Sequence, residues 1–169
     1  MAIVSGFIFG CLTDSMILLY VFDSNPGPMK VSCIIPVCNE ADNVAILARE
    51  IISVVSGLRV PYEIIFVNDG SRDNTQSQLR ALHQKYPTII TIIEFRTNLG
   101  KSSAYMSGIA LSTGEVVITL DGDGQDDPKE IPALLAAIDA GSDVVVGWKQ
   151  QRKDSLIKNS TSVVFNTVT

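Results

Sequence analysis

Two aspartates, Asp121 and Asp123, carry the clearest chemical signal in this sequence. They follow the largely apolar run 116–120, which predicts a buried parallel strand. Carboxylates crowded at a strand end repel each other, and a hard divalent cation such as Mg²⁺ or Mn²⁺ removes that repulsion. Such ions typically join one or two carboxylates to substrate phosphates, so the pattern predicts a metal-assisted phosphate site. The stretch 121–128 is also typical of a solvated turn, and taken alone it favours neither interpretation.

Size and composition fit one globular domain. The chain has 169 residues, 46% of them apolar, which is enough for one core and short for two domains. A net charge of −5 gives no basic footprint, so we do not expect nucleic acid as a partner. The three cysteines have no metal-ligand spacing and indicate reduced thiols in a cytosolic compartment. The single histidine, His83, lies in a predicted helix and gives little support to a histidine-based catalytic site.

Residues 1–28 differ from the rest of the chain. The stretch 2–22 is largely apolar and long enough to span a bilayer, but Asp14 in its middle would be costly in lipid. A membrane anchor, a loosely packed extension, and upstream sequence translated from a misplaced start all fit this pattern. We favour the third interpretation because the boundary coincides with Met29. The predicted organisation is therefore an apolar extension of doubtful status, 1–28, followed by a domain at 29–169.

From residue 30 onward, strand and helix patterns alternate with short connections, which predicts an α/β fold with a mainly parallel sheet and flanking helices. Strands are predicted at 31–37, 63–67, 89–95, 115–120 and 143–147. Helices are predicted at 43–57, with Asp42 as N-cap, at 75–86, at 101–112 and after Pro128. Polar clusters follow four of the strands, and ligands bind such sheets outside the carboxyl ends of the strands. Their residues are therefore expected to meet along one edge.

These polar clusters, taken in order and with their spacing, resemble the motifs of family 2 glycosyltransferases. The matching stretches are 36–40, 67–75, 96–101 and 121–126. Within that family, the continuation through 128 and the segment 147–155 resemble the polyprenyl-phosphate glycosyltransferases, the group that contains dolichol-phosphate mannosyltransferase. The resemblance covers residues 30 to about 166. Two other classes receive little support, because a nucleotidyltransferase needs a Gly-rich phosphate loop near the first strand and a dehydrogenase needs Gly-x-Gly-x-x-Gly after one.

The resemblance implies a GT-A fold that binds a nucleoside-diphosphate sugar. The substrate-binding residues that it implies are Pro36, Asn39, Glu40, Asp69, Gly70, Ser71, Lys101, Asp121, Lys149 and Arg152. Asp69 would accept hydrogen bonds from the base or the ribose. Structural roles remain open for several of them: Pro36 could simply end a strand, Glu40 could complement a helix dipole, and 69–71 could be a turn with Asp73 or Asn74 as the cap.

The resemblance also implies that basic side chains face the phosphates of the donor. Arg152 is the expected phosphate clamp, since its planar guanidinium suits phosphate oxygens. Lys149 would add charge without the bidentate geometry, and a solvated surface lysine is the alternative. Lys101 would add positive charge, and Asn98 would either contact the ligand or cap the helix that begins there.

The same resemblance assigns Asp121 to ribose and metal, Asp123 to the metal directly, and Gln125 to completing the metal site. The metal, Mg²⁺ or Mn²⁺, would neutralise charge on the leaving nucleotide. Asp121, Asp123 and Arg152 are thus the expected catalytic residues. A polyprenyl phosphate acceptor is already ionised at neutral pH and could attack the anomeric carbon, with inversion, without a strong general base. A saccharide hydroxyl acceptor, which needs a base, is the alternative.

Relatives of this branch continue past the position of residue 169 with the acceptor part of the domain, and many add membrane helices. We therefore expect a chain that is incomplete at its C-terminus, and a non-catalytic fragment that only binds the nucleotide-sugar is a further alternative. The expected partners are the donor, a polyprenyl-phosphate lipid and, for the full-length protein, a membrane surface. The expected setting is cell-envelope polysaccharide synthesis at the cytoplasmic face of the membrane, and the fragment alone is compatible with a soluble form.

Overall fold

The computed structural model describes the backbone of residues 19–21 and the whole of residues 29–147. The strands in these ranges are β1 (Leu19–Val21), β2 (Val31–Val37), β3 (Tyr62–Asn68), β4 (Ile90–Glu94) and β5 (Val116–Thr119). The helices are α1 (Val44–Gly57), α2 (Thr75–Lys85), α3 (Lys101–Leu111) and α4 (Ile131–Asp139), the last preceded by a 3₁₀ turn at Pro128–Glu130. Most predicted elements are confirmed, with ends that differ by one or two residues.

The sheet has the strand order β1-β5-β2-β3-β4. Strands β5, β2, β3 and β4 are parallel, so the predicted mainly parallel sheet is confirmed. Only β1 is antiparallel, and it pairs with Val116–Ile118 of β5. This strand belongs to the segment 1–28, which we expected to lie outside the domain. The remainder of that segment is outside the described residues, so the proposed division of the chain at residue 29 stays a prediction.

Strand β2 is buried on both faces, which explains its continuous apolar sequence. The adjacent residues Ile34 and Ile35 point to opposite faces and join two different clusters. The larger cluster includes side chains of α1, α2 and α4, and the smaller one includes Ala104 of α3. Among the described residues, none of the helices has the length and apolar character that a membrane span requires.

A polar cluster fixes the register at the amino ends of β2 and β3. The buried Ser32 hydroxyl donates to Glu63 Oε1 over 2.6 Å and accepts the Gly114 N–H at 2.9 Å. The Thr113 N–H donates to the same Glu63 oxygen at 2.7 Å. Burial by itself would raise the pKa of Glu63, but the hydrogen bonds from Ser32 and Thr113 and the charge of Lys30 outweigh it, so the pKa lies below its usual value.

Two local predictions are wrong. The stretch 143–147 is not a strand: only Val146 forms an isolated bridge, and Val144 and Val146 are each 49% exposed. Val145 packs on the larger core cluster, but no ladder extends from the bridge at Val146 within the described part of the chain. Asp42 is not the N-cap of α1, because that position belongs to Asn43, whose amide instead donates to Glu40 Oε2 at 2.6 Å.

Helix α3 lies so close to β2 that Gly108 has no space for a side chain. A Cβ at this position would lie 2.3 Å from Ile34 Cγ2. We expect Gly108→Ala to lower the free energy of unfolding by about 1–3 kcal/mol, because overpacking displaces buried atoms. The matched control is Gly57→Ala in α1, where nothing lies within 4 Å and no loss is expected. Urea unfolding followed by circular dichroism measures both, and equal stabilities would contradict the close packing.

Candidate functional site

A cleft of about 270 Å³ opens at the carboxyl ends of β2 and β5. From β2 the chain proceeds on one side to β3, whereas β5 is added on the other side after α3, so this is the switch point where ligands bind in α/β sheets. All four predicted polar clusters contribute to its lining. The lining residues are Pro36, Val37, Cys38, Glu40, Asp69, Asn98, Gly100, Lys101, Asp121, Gly122 and Asp123.

The loop after β3 and the first residue of α2 hold the loop after β2. The Asn39 N–H donates to Ser71 Oγ at 3.0 Å, and Asn39 Oδ1 accepts the Arg72 N–H at 2.8 Å. The Glu40 N–H donates to Thr75 Oγ1 at 2.8 Å. The structure therefore brings Asn39 and Ser71 together, and their contact joins the loop after β2 to the loop after β3. Asn39 has a φ of 59°, a left-handed conformation that asparagine tolerates better than most residues.

Asp69 is buried and binds the chain just before α3. Its Oδ1 accepts the Leu99 N–H at 2.7 Å and its Oδ2 accepts the Gly100 N–H at 3.0 Å. The positive end of the helix dipole favours a carboxylate at this position. These two bonds use about half of the acceptor capacity of the carboxylate. Gly70 permits the close approach, since its φ is +67° and a Cβ would lie 2.5 Å from Asn98 N.

The capping alternatives can now be compared with the structure. Asp73 Oδ1 accepts the Thr75 N–H at 2.9 Å, and its hydrogen bonds from Thr75 lower the pKa of Asp73. Asn98 does not cap α3, because Gly100 occupies the N-cap position. The Asn98 amide instead donates to Cys38 Sγ at 3.3 Å, at the lining of the cleft. That position is compatible with contact to a ligand.

Asp121 lies at the centre of a set of polar contacts. Its Oδ1 forms an ion pair with Lys101 Nζ at 2.5 Å and accepts a hydrogen bond from the Tyr105 hydroxyl at 3.0 Å. Its backbone N–H donates to Oδ2 of the buried Asp126 at 2.7 Å. Burial raises the pKa of Tyr105, as do the charge of Asp121 and the hydrogen bond to it, so the hydroxyl keeps its proton and donates.

Sequence reasoning missed Tyr105 and Asp126. Tyr105 stands four residues after Lys101 on the predicted helix, so the two share a helix face, which is a signal that could have been found. What the sequence did not show is that this face meets the end of β5. Asp126 carried no signal beyond membership of the acidic stretch.

Asp123 is exposed beside the cleft, and its Oδ1 accepts the Gln125 N–H at 3.0 Å. Gly122 lets this loop pass close to β2, because a Cβ there would lie 2.6 Å from Val37 Cγ1. The described residues contain no group of three or more His, Cys, Asp or Glu side chains that could hold a metal ion. Two carboxylates in one cleft nevertheless fit Mg²⁺ or Mn²⁺, which commonly takes one or two carboxylates together with substrate phosphates.

Four predicted site residues in the described part of the chain do not line this cleft: Asn39, Gly70, Ser71 and Gln125. Gln125 is exposed and does not line it, so its part in a metal site stays a prediction. Lys149 and Arg152 lie outside the described residues, and their phosphate contacts also stay predictions.

Comparison with known proteins agrees with this geometry. The family model described as Glycosyl transferase family 2 matches residues 32–162. Mannosyltransferase PcManGT from Pyrobaculum calidifontis, solved with GDP-Man and Mn²⁺, is 25% identical with a TM-score of 0.51, covering 64% of this chain and 31% of that one.

Two further solved structures are similar in fold. Mannosyl-3-phosphoglycerate synthase from Rubrobacter xylanophilus is 19% identical with a TM-score of 0.55, covering 65% of this chain and 36% of that one. Glucosyl-3-phosphoglycerate synthase from Mycobacterium tuberculosis, solved with Mn²⁺, UDP and phosphoglyceric acid, is 21% identical with a TM-score of 0.52, covering 65% and 39%. The likenesses confirm the predicted GT-A type fold, and this chain spans less than half the length of each of the three proteins.

The tether between Asp69 and the start of α3 has a measurable consequence for stability. In Asp69→Asn an amide NH₂ replaces one acceptor and faces a backbone N–H. We expect the free energy of unfolding to fall by about 1–3 kcal/mol, the cost of leaving a buried donor unsatisfied. Asp42→Asn makes the same change at an exposed aspartate of a nearby loop and should leave stability unchanged. Urea unfolding compares the two, and equal stabilities would argue against the tether.

The two cysteines at β2 differ in environment and should differ in reactivity. Cys33 is fully buried, and burial first, with the charge of Glu63, raises its pKa to about 12. Cys38 lines the cleft and is half-buried. At pH 9 we expect iodoacetamide to modify Cys38 but not Cys33 in the folded protein, because the thiolate is the reactive form. Peptide mass spectrometry measures this, with urea-unfolded protein as the control, and equal labelling of both folded thiols would contradict the burial.

Proposed function

The chain belongs to glycosyl transferase family 2, and on that premise we propose that its cleft binds a nucleoside-diphosphate sugar for transfer to a phosphorylated acceptor. The observation that carries the proposal is the meeting of Asp121 and Asp123 with Pro36, Glu40 and Asp69 around one cleft at the switch point of the sheet. No histidine lines this cleft. The polar groups in its lining are suited to binding a base, a ribose and phosphates.

The strand order suggests how the donor lies. Asp69 follows β3 and Asp121 follows β5, on opposite sides of β2. Neighbouring strands are about 4.8 Å apart, so these two positions are separated by about 10 Å across the cleft. We place the base and ribose toward Pro36, Glu40 and Asp69, and the diphosphate toward Lys101, Asp121 and Asp123. The remaining acceptor positions of Asp69 can bind N–H or O–H donors of the nucleotide.

Asp121 and Asp123 would hold a divalent cation in this arrangement. The solved mannosyltransferase and glucosyl-3-phosphoglycerate synthase contain Mn²⁺, which supports a divalent metal here without distinguishing Mn²⁺ from Mg²⁺. When bound, such an ion neutralises negative charge on the diphosphate leaving group. Tyr105 and Asp126 orient Asp121 through its side chain and its backbone, so the carboxylate needs little rearrangement when the ligand arrives.

A polyprenyl phosphate is the acceptor that we propose. Support comes from the resemblance of residues 125–128 and 147–155 to the polyprenyl-phosphate branch. The chemistry agrees, since an ionised phosphate can attack without a strong general base. Lys101, together with Arg152 if it reaches the site, would balance two anionic partners. Transfer would then invert the anomeric carbon in one displacement, on the cytoplasmic face of a membrane.

Donor binding without transfer is the second candidate function. The observation that favours it is the cleft lining, in which Pro36, Glu40, Asp69, Asp121 and Asp123 are all assigned to the donor and its metal. Binding and turnover therefore require separate measurements.

Calorimetric titration of the purified chain with UDP and with GDP, each with and without Mn²⁺, tests donor binding. We expect one nucleotide to bind in a metal-dependent manner, which would also name the base. Asp123→Ala should abolish the metal-dependent part and leave the thermal unfolding temperature unchanged, because Asp123 is exposed.

Asp139→Ala removes the same charge at the exposed end of α4 and serves as the control. Undiminished metal-dependent binding by Asp123→Ala would refute the site assignment. If a folded chain binds neither nucleotide, the proposed function is wrong for this chain. Turnover with the matching nucleotide-sugar and a short polyprenyl phosphate separates the transferase from the binding fragment.

A further inference from the structure

One oxygen of Asp121 receives two donors of different character from α3. Lys101 and Tyr105 are one helical turn apart, and both contact Oδ1, at 2.5 Å and 3.0 Å. Tyr105 is half-buried and packs on the smaller core cluster, so its hydroxyl is held in place. The Lys101 side chain is 53% exposed, whereas that of Asp121 is 8% exposed. The tyrosine is therefore a fixed partner, and the ammonium is able to move away into solvent.

The position of Lys101 in its helix is electrostatically unfavourable. It is the first residue of α3, where the helix dipole favours anions and disfavours a cation. A lysine at this position does not stabilise the helix, and its charge is compensated by Asp121 across the cleft. The Tyr105 ring, with its centroid 5.8 Å from Lys101 Nζ, also keeps the ammonium close to the carboxylate.

We propose that Lys101 is an exchangeable counter-ion of Asp121, which competes with a divalent cation for Oδ1 and moves to the diphosphate when metal and nucleotide bind together. This inference rests on the proposed function and specifies how metal and donor binding are coupled. A divalent cation and an ammonium on the same oxygen repel each other, so the metal alone binds weakly. The diphosphate supplies the negative charge that lets both cations remain in the cleft.

The expected consequence is positive coupling between metal and nucleotide. Each ligand should strengthen binding of the other by the same factor, as thermodynamic linkage requires, and coupling of this kind is typically about 5–150-fold. This coupling factor should depend on the charge of residue 101, because a positive charge there weakens binding of the metal alone and strengthens binding of the diphosphate.

Lys101→Met tests the proposal, because methionine keeps an unbranched side chain and removes the charge. Mn²⁺ affinity is measured without nucleotide, by the electron paramagnetic resonance signal of free Mn²⁺, and nucleotide affinity is measured by calorimetry at saturating Mn²⁺. We expect Lys101→Met to bind Mn²⁺ alone at least about 5-fold tighter than the parent and to bind UDP or GDP more weakly, so the coupling factor falls. Lys101→Arg, which keeps the charge, should restore weak binding of Mn²⁺ alone.

Two control variants separate exchange from other effects. Lys85→Met removes a charge from the end of α2 and should change neither affinity. Tyr105→Phe removes the fixed donor, and it should weaken Mn²⁺ binding by a similar factor with and without nucleotide. A loss of coupling in Tyr105→Phe equal to that in Lys101→Met would overturn the assignment of the exchange to the ammonium.

The outcomes also separate this inference from the function on which it rests. If the parent shows metal-dependent nucleotide binding but Lys101→Met binds Mn²⁺ alone no tighter, the exchange is refuted and the donor site stands. If the parent shows no metal-dependent nucleotide binding, both are refuted.

Discussion

The hydrogen bonds that the Leu99 and Gly100 amides donate to Asp69 are the interaction on which the site depends. They draw the connection after β4 back across the end of β3, so that α3 begins over the carboxyl edge of the sheet. Helix α3 then packs on β2 and β3 through Ala104 and the side-chain-free Gly108. This placement brings Lys101 and Tyr105 to the end of β5. The Asp69 contact at the end of β3 thereby determines which side chains surround Asp121, on the other side of β2.

Acidic groups in and beside the cleft are tolerated because each has a defined donor. Asp69 is stabilised by a helix N-terminus, Asp121 by an ammonium and a hydroxyl, and Asp126 by a backbone N–H. Such contacts orient the carboxylates before any ligand arrives, which lowers the cost of ordering them on binding. The exposed Asp123 is held less tightly, through its contact with the Gln125 N–H. The site thus combines fixed groups with groups that can adjust.

Predictions were accurate where local pattern and tertiary burial agree. The continuous apolar runs of β2, β3 and β5 identified buried parallel strands, because strands covered on both faces need apolar residues throughout. The stretch 143–147 has the same local character, but within the described residues it forms a single bridge and no ladder, and strand formation requires a ladder. Pairing of β1 with β5 was also missed, since register between distant segments is not visible in either segment.

The sequence by itself determined the alternation of elements, the strand ends at which polar residues gather, and the motifs that resemble family 2 glycosyltransferases, because these depend on local order and spacing. Only the tertiary structure decided which of those residues touch. Asn39 and Ser71 contact each other. Tyr105 and Asp126 hold Asp121, and Lys101 contacts the same Asp121 oxygen as Tyr105. Such contacts join residues from different elements, and the direction of their side chains depends on helix rotation and strand order, which no short stretch of sequence specifies.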